Sequence, residues 1–310
     1  MFCPRKLRDI RRSESLSEGS SDISDCSATD VADYFSAVAT RDFIPQGHDT
    51  GSVVIRDESI NHAVSRAIGL SRDMDPRLVS RVLCTVGRMN KIDTDTFEKL
   101  LQAFIPRVAD LSLGCLSRCV FVLGHRHSLS LSSRSSFFEA AVKRADELLA
   151  RFERAPARVL AKLCVGFSGV NSVEVDQLST KLDRLCAVVV DELDISQVQQ
   201  IAYALTRRID GSNNRMLVSR LISRAITLAP IHDAQTYVAL TISISRLGRC
   251  TDEWRVYEKI FRDSMGVGSG YISRQRLKLA LGSIGLDLED SDPRFQQILN
   301  SLKPNLDRNS

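Results

Sequence analysis

Asp75-Pro76-Arg77-Leu78-Val79-Ser80-Arg81-Val82-Leu83-Cys84-Thr85-Val86-Gly87-Arg88 is the stretch that decides the fold. Leu78, Val79, Val82, Leu83 and Val86 recur at the spacing of one face of a helix. Asp75 is a suitable N-cap, and Pro76 occupies the first turn, where its missing N–H costs nothing. Gly87 closes the stripe. A second apolar stripe follows within Thr94–Val108: Phe97, Leu100, Leu101, Phe104 and Ile105. Two amphipathic helices joined by a short turn predict a helical hairpin.

The couplet recurs along the chain. First helices are expected to end near Gly87, Gly124, Ser168, Arg207, Gly248 and Gly285, in steps of 37, 44, 39, 41 and 37 residues. Second helices are expected at about 94–108, 134–152, 173–191, 213–228 and 252–265. One hairpin of this length cannot bury its own apolar faces, but stacked hairpins can. The expected fold is therefore all-α. It is an α-solenoid of about five to six helix–turn–helix hairpins with a disordered N-terminal tail. The expected divisions are a tail over 1–51, the helical repeat over 52–250, a divergent last hairpin over 251–302, and a flexible end over 303–310.

Composition agrees with packed helices. The 310 residues are 43% hydrophobic, and only 6% are aromatic, so Leu, Val, Ile and Ala supply most of the apolar mass. No apolar run reaches the roughly 20 residues that span a bilayer, so no membrane partner is expected. The eight cysteines form no C-x-x-C pair and read as small buried hydrophobes in a reducing compartment. Cys115, Cys119, His125 and His127 are the one set with metal-ligand side chains close in sequence, but their spacing lacks the usual zinc loop.

The N-terminal segment changes sign of charge. Arg5, Lys6, Arg8, Arg11 and Arg12 face one acid, Asp9, and residues 13–33 then hold six acids, seven serines and no basic residue. Such a segment cannot bury enough surface to offset its ordering entropy. The basic start could open a short mitochondrial presequence ending near Ser13. Ser15, Ser17, Ser20, Ser21 and Ser24 lie among acids, as in substrates of acid-directed kinases. A solvated tail with neither role is the third reading. A short helix is expected at Asp33–Arg41, before the Ile44-Pro45-Gln46-Gly47 break.

From Gln200 to Arg249, seven arginines meet only Asp210 and Asp233. Such an excess attracts anions, nucleic acid included, although a solvated arginine face would look the same.

The phrases Val82-Leu83-Cys84-Thr85-Val86-Gly87-Arg88, Cys119-Val120-Phe121-Val122-Leu123-Gly124-His125 and Ser243-Ile244-Ser245-Arg246-Leu247-Gly248-Arg249 carry a resemblance. They are similar to the first helices of organellar helical-repeat proteins of the octotricopeptide and heptatricopeptide type, over about residues 75–250. No RAP-like domain follows. The resemblance implies RNA binding in organellar RNA metabolism or ribosome assembly, with the first helices lining the binding surface. The residues it points to are Arg88, Arg126, Arg158, Lys162, Arg207, Arg208, Arg246 and Arg249. Compensation of helix dipoles by C-terminal cations is the competing account of the same row. The location implied is mitochondrial or another organelle, the alternative being cytoplasmic.

Met265–Ile272 resembles an EF-hand loop entering its second helix. Gly270 stands at the sixth position, where the sharp turn falls, and Ile272 at the eighth. Positions 1, 3, 5 and 12 are Met265, Val267, Ser269 and Arg276, of which only Ser269 could coordinate, so no calcium site is expected. The alternative function is a protein–protein scaffold that docks a partner helix in its groove or at this EF-hand-like end. No catalytic motif appears: no strand-borne Gly-x-Gly-x-x-Gly, no Walker loop, no Gly-x-Ser-x-Gly and no His-Glu-x-x-His. No enzyme activity, cofactor or small-molecule substrate is expected.

Overall fold

A computed structural model describes residues 26–42, 57–89, 92–125, 130–170, 172–207, 215–228 and 240–244, with isolated positions beyond. The described residues are helical and contain no strand. The α-helices are α1 (Ala28–Asp42), α2 (Asp57–Gly69), α3 (Pro76–Val86), α4 (Thr94–Phe104), α5 (Leu113–His125), α6 (Leu131–Leu149), α7 (Ala157–Phe167), α8 (Val173–Val188), α9 (Ile195–Thr206) and α10 (Arg215–Leu228). The chain divides into two compact units, Met1–Phe152 and Glu153–Ser310.

Helix starts follow local chemistry. Asp75 accepts from the Arg77 N–H, Asp93 from Thr96, and Ser172 from Val175. Asp194 and Gln197 form a reciprocal capping box ahead of α9. The Thr96 N–H holds the Asp93 carboxylate below its ordinary range. α4 stops at Phe104, short of the expected 108, because Pro106 offers no N–H to an α-helix. Ile105–Asp110 tightens into a 3-10 turn instead.

Within each unit the helices pack in two sets. In the first unit α3 packs on α1 and α5, while α4 packs on α2 and α6. The pairs α1/α2, α3/α4 and α5/α6 also pack internally. In the second unit α7 packs on α9, α8 on α10, and the pairs α7/α8 and α9/α10 close on themselves. The odd-numbered helices are thus the first members of each pair and the even-numbered the second. The core comes from both sets: Val79, Val82, Leu83, Phe97, Leu100, Leu101 and Phe104 are all fully buried. Gly87 is where α3 closes on α5. A Cβ there would stand 2.7 Å from Val122 Cγ1, so the position requires the absence of a side chain.

The segment assigned from sequence to the tail needs correction over Ala28–Asp42. α1 begins five residues ahead of the expected Asp33, capped where Asp30 accepts from the Ser27 N–H and hydroxyl. Val31, Ala32, Phe35 and Val38 are buried, and Asp33 pairs with Arg81 of α3 at 2.6 Å. This apolar stripe outweighs the acids that dominate the window. Tyr34 has the only buried side-chain polar atom without a hydrogen-bond partner among the described residues. Burial pushes its hydroxyl pKa up to about 12.

Candidate nucleic-acid interface

An arginine near the end of the second helix ties most pairs to their own beginning. Arg66 Nε donates to the Cys26 carbonyl at 3.0 Å, and Arg107 Nη2 to Met74 at 2.9 Å. Arg144 Nε donates to Leu111 at 3.1 Å, and Arg224 Nε to Leu193 at 3.0 Å. Each accepting carbonyl lies two residues ahead of the first residue of that pair's first helix. Arg107 adds Ser71 and Arg72 carbonyls, both at 2.6 Å, and an ion pair with Asp110. The local sequences are Ala63-Val64-Ser65-Arg66-Ala67, Phe104-Ile105-Pro106-Arg107-Val108, Ala141-Val142-Lys143-Arg144-Ala145 and Leu221-Ile222-Ser223-Arg224-Ala225. Two apolar residues seat the backbone, one residue faces out, and the arginine turns toward the start of the first helix.

The register of these arginines, 66, 107, 144, 184 and 224, advances by 41, 37, 40 and 40 residues. Arg184 of α8 departs from the others. Lys181 breaks the preceding apolar pair, and Leu185 replaces the small residue that follows. Arg184 is exposed, and no carbonyl bond of this kind is recorded for it among the described residues.

The two sets of helices differ in charge. From Pro76 onward the first helices α3, α5, α7 and α9 contain no aspartate or glutamate. α3 carries Arg77 and Arg81, α5 carries Arg118, and α7 carries Arg158 and Lys162. Acids gather instead on three of the second helices: Asp95 and Glu98 on α4, Glu139, Asp146 and Glu147 on α6, and Glu174, Asp176 and Asp183 on α8, while α10 holds none. Part of that charge is structural. Glu98 accepts the Ser130 N–H and the Ser133 hydroxyl, which hold its carboxylate below the ordinary range.

The residues singled out from sequence divide accordingly. Arg88 is exposed just past α3, in line with Arg77, Arg81 and Cys84 at helical spacing. Arg158 is exposed on the first turn of α7, and Lys162 is half-buried one turn further on. Arg207 caps α9, with its guanidinium 5.6 Å from the Tyr203 ring centre and Nη1 3.1 Å from the Tyr203 hydroxyl. An arginine over a tyrosine face gives one position both charge and a stacking platform. Arg88 belongs to the first unit. Arg158, Lys162 and Arg207 belong to the second, on the packed pair α7 and α9. Arg126, Arg208, Arg246, Arg249, Gly270 and Ile272 lie outside the described residues.

Two residue groups take on different roles from those read in the sequence. In the arginine-rich stretch, Arg220 donates to the Ala187 carbonyl and pairs with Asp191, and Arg224 donates to Leu193. Part of that excess is therefore consumed in holding helices. Arg118, which sequence reading passed over, is an exposed cation on acid-free α5, bonded to the Gly114 carbonyl at 3.1 Å. The missed signal is the absence of acids from the first helices α3, α5, α7 and α9; α1 carries Asp30, Asp33 and Asp42.

The Cys115–His127 set does not assemble among the described residues, where no group of three or more ligand side chains could hold a metal. Cys119 Sγ faces Ser80 and Cys84, and His125 Nδ1 sits 2.7 Å from the Phe121 carbonyl. His127 lies outside the described residues. No described helix is long and apolar enough to cross a membrane.

Compared with known proteins, the chain matches no family model and no curated sequence.

Proposed function

We propose that this chain is a non-enzymatic helical-repeat protein, an α-solenoid of stacked hairpins, and that in each unit the first helices bind the phosphate backbone of RNA. The observation that carries the reading is the charge division: first helices without acids from α3 to α9, against acid-bearing second helices α4, α6 and α8. A face that only needed solvation would mix both signs, whereas phosphate contact favours cations alone. Arg88, Arg118, Arg158, Lys162 and the Tyr203–Arg207 pair supply the contacts. These residues position a backbone and carry no base code. The basic start of the chain supports a mitochondrial or other organellar location.

Titration of single-stranded RNA against the full chain at several salt concentrations tests this. Log affinity is expected to fall linearly with log salt, and R88E/R118E and R158E/R207E are each expected to lose about tenfold or more. Affinity that ignores salt, or variants that bind like the parent, would sink the reading. A stable protein partner that survives nuclease treatment, with no RNA bound, would favour the scaffold alternative instead.

A further inference from the structure

We propose that Cys84 and Cys119 are a peroxide-sensitive thiol pair that closes to a disulfide between α3 and α5. The two sulfurs stand 3.9 Å apart on helices that pack together, from residues 35 apart in sequence. Closing to a disulfide needs the sulfurs at about 2.05 Å, within reach of side-chain rotation when they already touch.

The environments of the two thiols differ. Cys84 lies on the partly open stripe of α3 with Arg81 and Arg88, while Cys119 is fully buried. The Cys119 thiol beside it, the Ser80 hydroxyl, and the Arg88 and Arg118 guanidinium charges all favour Cys84 as thiolate, against its partial burial. Cys119 is pushed the other way, by its contact with Cys84 and by burial. Ser80 sits between them, its hydroxyl 3.5 Å from Cys119 Sγ and donating to the Cys115 carbonyl at 3.2 Å. Cys84, half-buried and flanked by cations, is the thiol that attacks, and its fully buried neighbour resolves.

The chemistry balances with a peroxide as oxidant. Cys84 thiolate attacks one peroxide oxygen, the O–O bond breaks, and Cys84 sulfenic acid and hydroxide form. Cys119 sulfur then attacks the sulfenic sulfur, expelling hydroxide, which takes up the Cys119 proton as water. Two thiols and one hydrogen peroxide give one disulfide and two waters.

A second pair provides an internal control. Cys164 and Cys186 are closer, with sulfurs 3.7 Å apart, yet both are buried, at 4% and 0% exposure. If distance alone governed oxidation, this pair would link first. Access and cationic flanking predict the reverse.

The test uses the reduced full chain exposed to stoichiometric hydrogen peroxide, then alkylated, digested and mapped by mass spectrometry. A Cys84–Cys119 linked peptide is expected, reversed by dithiothreitol, forming about tenfold faster than any Cys164–Cys186 link. C119S removes the resolving thiol and should accumulate a sulfenic acid at Cys84 that dimedone traps. C164S should link Cys84 to Cys119 at the parent rate. Peroxide that leaves Cys84 unmodified, Cys84 overoxidised with no link, or Cys164–Cys186 linking first would each overturn the proposal.

Discussion

The arginines of the first helices and those of the second helices have the same chemistry and opposite employment. On the second helices, Arg66, Arg107, Arg144 and Arg224 point inward to carbonyls at the start of their own pair. On or just past the first helices, Arg77, Arg88, Arg118 and Arg158 are exposed, and α3, α5 and α7 themselves hold no acid. The comparison teaches that net charge is a poor guide to which cations of a helical protein are left at its surface. What separates the two groups is whether the guanidinium reaches carbonyls at the start of its own pair, 31 to 40 residues away, since the carbonyl that Arg118 bonds, Gly114, lies in its own helix. A charge-assisted bond to a carbonyl contributes stability, whereas a cation left at the surface contributes mainly long-range field.

The sharpest way to break this comparison is Arg107→Ala. It removes three carbonyl bonds and an ion pair from a side chain that is only 17% exposed. We expect a loss of about 3 kcal/mol in chemical denaturation, since three carbonyls, two of them part-buried, lose a charged donor at once. A variant as stable as the parent would mean the second-helix arginines hold nothing. Smaller losses, about 1–2 kcal/mol each, are expected for Arg144→Ala and Arg224→Ala, which give up one carbonyl bond apiece. The smallest effect belongs to Arg184→Ala. Its register matches Arg144 and Arg224, but its side chain is exposed, so denaturation should stay within about 0.5 kcal/mol of the parent. A large loss there would show that register, rather than the bond, is what counts. R88E/R118E should fall in this last group for stability, even though RNA affinity drops.

Much of this fold is legible locally. Asp75-Pro76, Asp93 and Asp194 announce helix starts within three or four residues, and the structure caps all three helices there. The steps of about 40 residues follow from where apolar stripes begin and end. The arginine bonds were not legible, because donor and acceptor lie 31 to 40 residues apart. Before the helices are placed, an arginine in Ala-Val-Lys-Arg-Ala looks like any solvated cation. The Cys84–Cys119 contact was hidden for the same reason, across 35 residues. α1 is legible in part: the helix expected at Asp33–Arg41 is there, but its start at Ala28 is obscured by the acids around Val31, which lower the mean hydropathy of a window whose buried face is apolar. Of the proposed interface, Arg88, Arg158, Lys162 and Arg207 follow from the family resemblance and their place near the first helices, whereas Arg118 requires comparing whole helices by sign.

The bonds from each second helix to the start of its own first helix have a mechanical meaning. Each latched pair is a closed loop, bolted where the chain comes in and where it goes out. Tension drawn through the chain therefore reaches the bolt before it reaches the helices inside, and it is carried past the pair rather than through it. Pair α7/α8, where Arg184 is exposed, lacks that bolt. Among the described pairs it is the one without such a bond, and it is the pair expected to lengthen first under tension.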